Sequence, residues 1–153
     1  MNRELIGKEY PAVEYEVGRE KIKEYAMATF SENPLYLDPE FARESEYGTV
    51  VAPPTFAAVY SADVMKIIVE DRNLGMKVRR IVHGEQKFVF GEVVRAGDLI
   101  TTTVKIESIS QKTNRAGAIN EFLVIKTTSL NQNEQPVCEG TWTLIERGKQ
   151  SNE

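Results

Sequence analysis

The sequence predicts an α+β fold in which a curved antiparallel sheet wraps one long apolar helix. Two observations carry this. Pro54 to Val69 is apolar over nearly its whole circumference, with Asp63 and Lys66 its only charges, and a helix lacking a polar face has to be covered by something that encloses it. From Arg79 onward, apolar residues alternate with period two through the segments 79–91, 98–110, 117–130 and 136–146. Short connections between such segments are the pattern of sequential antiparallel strands. One helix followed by a run of strands forms layers, with the sheet curled round the helix.

In chain order, a strand candidate runs around Tyr10 to Val17. Gly18 then precedes Ile22, Tyr25, Ala26 and Thr29 at helical spacing with charges between them, which predicts an amphipathic surface helix. Asn33-Pro34 and Asp38-Pro39 interrupt it, because proline disfavours helix at the residue before it; residues 31–51 are expected to be mostly irregular. Ala52-Pro53-Pro54-Thr55 opens the second helix, whose first turn tolerates proline. In the strands, Ile100, Thr102, Val104 and Ile106 share one face while Thr101, Thr103, Lys105 and Glu107 share the other. Cys138, Gly140, Trp142 and Leu144 repeat this alternation in the last strand. Gly97-Asp98 and Asn131 to Asn133 mark turns, and Lys112 to Gly117 a polar connection. The organisation expected is one domain over 1–147 and a disordered tail over 148–153.

Length and composition narrow the function classes. The 153 residues suit a single domain. With 41% hydrophobic and 27% charged residues, and no apolar run near the ~20 residues that cross a bilayer, an integral membrane protein is not expected. The start Met1 to Tyr10 lacks the regions of a signal peptide and a lone Cys138 forms no internal disulfide, so a cytoplasmic location is the default. A net charge of -4 argues against nucleic-acid binding driven by the phosphate backbone. A local basic patch for a small phosphorylated ligand remains open. No metal or cofactor is expected.

Residues 25–36 read Tyr-Ala-Met-Ala-Thr-Phe-Ser-Glu-Asn-Pro-Leu-Tyr. This frame resembles the signature segment of the MaoC-like (R)-specific hydratases and dehydratases, Tyr-Ala-x-x-x-Gly-Asp-x-Asn-Pro-x-His. Gly48 to Phe56, Val82-His83-Gly84-Glu85-Gln86-Lys87-Phe88 and Val93 to Asp98 are similar to further blocks of the N-terminal dehydratase branch. That branch includes non-catalytic subunits of mycobacterial 3-hydroxyacyl-carrier-protein dehydratases and the N-terminal halves of double-hot-dog hydratases. The resemblance covers most of residues 3–146 and implies a single hot-dog fold, with the sheet as bun and the helix Pro54 to Val69 as sausage. It also implies dimers whose sheets join edge to edge.

Dehydrating a 3-hydroxyacyl thioester needs a base for the α-proton, an acid for the leaving hydroxyl, and donors for the enolate oxygen. In the family an Asp and a His do the acid/base work, and Ser31 and Tyr36 stand in their places here. A serine hydroxyl has no useful basicity near neutral pH, and an ordinary tyrosine is protonated there. His83, the only imidazole, is read as structural or substrate-lining, with catalysis as the alternative. Glu85, two residues on, is expected on the same face, either as its acid/base partner or as a cross-strand charge partner. Ser31, Asn33, Tyr36, Phe56, Tyr60 and Gly84 are substrate-binding candidates. Against those roles stand a helix-end role for Ser31, a loop-stabilising amide for Asn33, space-filling for Tyr36 and ordinary core packing for Phe56 and Tyr60. Cys138 reads as a packing residue. Lys77, Arg79, Arg80, Lys87 and Arg95 meet carrier phosphates in one reading and keep strand edges soluble in the other.

The resulting expectation is an accessory, channel-forming subunit. It binds an acyl thioester of coenzyme A or acyl carrier protein and pairs with a catalytic MaoC-like subunit. The alternatives are a self-sufficient homodimeric hydratase using His83 and Glu85, and a non-catalytic acyl-CoA-binding module.

Overall fold

A computed structural model describes residues 1–148; of the tail expected over 148–153, Gly148 is held by its N–H on Asn120 Oδ1 and the rest lies outside the described residues. Its five strands form one antiparallel sheet in the order β1-β3-β4-β5-β2. They are β1 (Glu9–Glu16), β2 (Ile81–Phe90), β3 (Leu99–Thr113), β4 (Ile119–Leu130) and β5 (Pro136–Glu146). The predicted alternation holds: Ile100, Thr102, Val104 and Ile106 are buried, as are Cys138, Gly140, Trp142 and Leu144, while Thr103, Lys105 and Glu107 are exposed. Along that inner face Val64, Ile68, Ile106, Leu123, Ile125 and Trp142 form one core cluster. Phe56, Ile22, Tyr60, Val137 and Cys138 anchor a second.

The central helical stretch is present but divided. A 3₁₀ turn at Pro54–Phe56 leads into α4 (Ala57–Tyr60), and α5 (Ala62–Glu70) follows after a break at Ser61. The buried Ser61 hydroxyl donates back to the Ala57 carbonyl, a local bond that competes with the helical ladder. Only Val64 and Ile68 of α5 are fully buried, while Met65, Ile67 and Val69 are half-covered. A single chain therefore does not wrap the apolar circumference completely.

Residues 31–51 are more ordered than expected. α1 (Arg19–Ala28) is followed by α2 (Pro34–Leu37) and α3 (Pro39–Glu44). The Asx-Pro pairs expected to interrupt the first helix instead lie beyond its end at Ala28 and start the next two. Asn33 and Asp38 accept backbone N–H bonds as N-caps, and each proline takes the first helical position, where it has no N–H to lose.

β2 pairs with β5 on one side only. Its other edge has no strand partner among the described residues. A free edge of this length, with Val89 and Phe90 about half exposed, is a surface that natural sheets normally cover or pair.

Candidate functional site

The loop matching the signature frame is built by a helix end and a cap. Thr29 closes α1, Phe30 takes φ +55°, and the N–H groups of Phe30 and Ser31 donate to the carbonyls of Met27 and Ala26. This is a Schellman termination, whose left-handed position is ordinarily glycine, and glycine is what the family pattern has there. Phe30 instead holds the strained conformation with a ring 93% exposed. Ser31 thus contributes its backbone to the helix end, and its hydroxyl makes no hydrogen bond within the described residues. Asn33 stabilises the loop, its Oδ1 accepting from the Leu35 N–H at 3.0 Å.

Of the candidates in that loop, only Tyr36 lines the main apolar cleft. The cleft holds about 230 Å³ between Tyr36, Tyr47, Phe56, Tyr60, Phe90 and Val94. Phe56 is fully buried and is held edge-on by Tyr15 and Tyr25, at centroid distances of 6.2 and 5.4 Å. The Tyr25 hydroxyl donates to the Thr55 carbonyl and ties α1 to the head of the central helix. Burial, and contact with Cys138, push the Tyr60 phenol well above its ordinary value, so it stays protonated. Burial also raises the Cys138 thiol, which removes it as a nucleophile at neutral pH.

Sequence reasoning missed Tyr47, Phe90, Val94 and Glu92, the one acidic side chain on the cleft wall. They lie in irregular segments or at a strand end, where periodicity carries no signal. Gly91 was the available clue: a Cβ there would stand 2.2 Å from the Pro136 carbonyl oxygen, so the chain needs glycine where β2 leaves the sheet beside the cleft.

The His83 and Glu85 pairing differs from expectation. Register shifts between them, with His83 opposite Leu144 and Glu85 opposite Thr143. Leu144 faces the core and Thr143 does not. Directly opposed residues share a face, so the bulge at Gly84 sends the two side chains to opposite faces. Period two fails here because of the extra residue. His83 lies against Trp142, ring centroids 5.6 Å apart. Gly84 is explained by packing, since a Cβ there would come within 2.7 Å of Ile145 Cδ1 and 3.2 Å of the Thr143 carbonyl oxygen. Neither His83 nor Gly84 lines the cleft of its own chain. His83 is about 23 Å from Phe90 along the strand, at about 3.3 Å per residue.

The arrangement can hold an apolar chain beside Tyr36 and Tyr60. With Ser31 and Tyr36 at the Asp and His positions, and the Glu32 carboxylate exposed and outside the cleft lining, it lacks the acid/base pair of the signature frame.

Comparison with known proteins bears on the family and the fold. The sequence profile of the family described as "FAS1-like, dehydratase domain region" matches residues 4–140. A UPF0336 protein of Saccharopolyspora erythraea is 41% identical over 149 residues, covering 97% of this chain and 92% of that one. The HadBC (3R-hydroxyacyl-ACP dehydratase) complex of Mycobacterium tuberculosis superposes with a TM-score of 0.70 at 30% identity, covering 92% of this chain and 96% of that chain. The (R)-hydratase PhaJ1 of Pseudomonas aeruginosa shares the fold, with a TM-score of 0.72 at 14% identity and coverage of 94% and 82%.

Proposed function

Because the chain belongs to the FAS1-like dehydratase family and has the MaoC-like hot-dog fold, we propose that it is the channel-forming subunit of a 3-hydroxyacyl-thioester dehydratase. It pairs along β2 with a subunit that supplies the Asp and His. One observation carries this reading: the signature loop keeps its backbone, with a Schellman end and an Asn33 cap, while Ser31 and Tyr36 replace the acid and base beside an intact apolar cleft. The loop shapes the channel, and Tyr36, Phe56 and Tyr60 contact the acyl chain. The free β2 edge and the exposed, strained Phe30 both favour a partner, since each leaves apolar surface open to water. The HadBC structure, a complex by its own description, supports pairing of unlike subunits and a carrier-protein thioester.

A single domain over 1–147 and a cytoplasmic location belong to the same reading. Among the described residues, no helix is long and apolar enough to cross a membrane.

Reconstitution tests the proposal. The purified chain should not hydrate crotonyl-CoA, and adding a MaoC-like subunit that carries Gly-Asp-x-Asn-Pro-x-His should produce turnover. Turnover by the chain alone would refute the accessory role.

His83 supports a second reading. It is exposed on the unpaired edge strand, so a two-fold pairing of β2 strands would carry it towards the other subunit's cleft and let it act there as base. In that case His83→Ala abolishes turnover by the homodimer with little change in melting temperature.

A further inference from the structure

At the end of β2 away from the cleft, Arg79, Arg80 and Arg147 surround a polar groove of about 370 Å³, completed by Asn114 and Asn120. The fold builds this groove. The Arg147 N–H donates to the Arg80 carbonyl at 3.0 Å, bringing the end of β5 to the start of β2. The Gly148 N–H donates to Asn120 Oδ1 at 2.9 Å and fastens the tip of the β3–β4 hairpin to the same place.

The polar lining consists of donors. Asn114 Oδ1 accepts from the Ala116 and Ala118 N–H groups and Asn120 Oδ1 is used by Gly148, so each amide has its NH₂ left to offer. Among the described residues, no acidic residue lines the groove. Among the described residues, none of the three guanidiniums has a carboxylate within 4.0 Å. Glu146, next along the chain, is buried and accepts from the Lys77 N–H at 2.8 Å. Arg80 Nη2 is covered by protein yet has no acceptor among the described residues. A buried guanidinium nitrogen without a partner is costly, and an incoming oxyanion would satisfy it. Three arginines left uncompensated in a chain of net charge -4 are not explained by general solubility.

We propose that Arg79, Arg80 and Arg147 bind the phosphate ester at the carrier end of an acyl thioester whose acyl chain lies against Tyr36, Phe56 and Tyr60 of a β2-paired second copy of this chain. This rests on the thioester reading above. Within one chain the groove and the cleft stand at opposite ends of β2, about 30 Å apart at about 3.3 Å per residue, which is beyond the reach of one phosphopantetheine arm. A two-fold pairing runs the two β2 strands antiparallel and sets Ile81 of one copy near Phe90 of the other. The basic groove of each subunit then flanks the cleft of its neighbour. The acyl chain is then held by the cleft of one copy and its carrier by the arginines of the other.

The test is calorimetric titration of the dimeric protein with crotonyl-CoA, crotonyl-4′-phosphopantetheine and crotonyl-pantetheine. Both phosphorylated probes should bind at least tenfold tighter than crotonyl-pantetheine, with the advantage shrinking as salt is raised. Arg80→Gln/Arg147→Gln should remove that advantage and leave crotonyl-pantetheine binding unchanged. Preference for the coenzyme A probe would identify a nucleotide carrier, and equal binding of the two would identify the arm's own phosphate. Equal affinity for phosphorylated and unphosphorylated probes, or an advantage that survives the double variant, overturns the proposal. If crotonyl-pantetheine does not bind at all, the thioester reading of the cleft is what fails. Inorganic phosphate then decides the groove: binding that the double variant abolishes keeps an anion site, and no binding removes it.

Discussion

The loop from Phe30 to Tyr36 and the edge strand around His83 both match the dehydratase pattern, and they depart from working catalysis in opposite ways. In the loop the backbone is held by a Schellman end and an Asx cap, but Ser31 and Tyr36 lack the acid/base chemistry. In the strand His83 and Glu85 supply an imidazole and a carboxylate, but the Gly84 bulge turns them to opposite faces. Catalysis needs chemical groups and their placement together. Here one segment has a fixed backbone without the groups, and the other has the groups without a shared face.

The largest effect expected from this contrast is a gain. Ser31→Asp/Tyr36→His puts an acid/base pair back on the retained loop, and crotonyl-CoA hydration should rise at least ~100-fold above the parent, the lower end of general acid–base contributions. A folded double variant with no gain would show that the loop does not hold catalytic geometry. Next is Gly84→Ala, whose Cβ would press on Ile145 Cδ1 and the Thr143 carbonyl oxygen. It should cost about 1–3 kcal/mol by denaturant unfolding, and an unchanged midpoint would mean that the bulge is not rigid. Phe30→Gly relieves the left-handed strain, so it should stabilise the isolated chain by about 1 kcal/mol while weakening association with a partner. Sedimentation and thermal melts would separate those two effects. Smallest is Glu85→Ala, an exposed residue on the face away from His83. It should stay within about 0.5 kcal/mol in stability and leave the activity of the reconstituted complex unaltered, and a large loss of activity would reinstate the His83–Glu85 pair.

Much of the fold was legible because it rests on short-range periodicity. Ile100 to Ile106 and Cys138 to Leu144 announce their faces residue by residue, and the run β3-β4-β5 follows from placing strands in sequence, whereas β2 departs from it by pairing with β5 and leaving the edge of β3 to β1. The loop frame was legible because its Asx-Pro pairs act locally. Their consequence was misjudged, since Pro34 and Pro39 start helices, while the first helix ends earlier at its own Schellman turn. Ser61 interrupting the central helix left no mark on hydropathy, because the residue is small and bonds its own backbone.

The site was less legible. Tyr36, Phe56 and Tyr60 do meet at one cleft, but Tyr47, Phe90 and Glu92 join them from segments distant in sequence. Asn114, Asn120 and Arg147 likewise complete the basic groove from a hairpin and a strand end beyond the flagged Arg79 and Arg80.

By itself the sequence determined the strands, the buried face of each, the apolar central helix and the altered chemistry at Ser31 and Tyr36. All of these are set by residue identity and local spacing. The tertiary structure decided which side of β2 His83 and Glu85 occupy, what lines the cleft and where the arginines converge. Those depend on register and on contacts between residues far apart in the chain. One extra residue in a ladder reverses a face, and no local pattern records it.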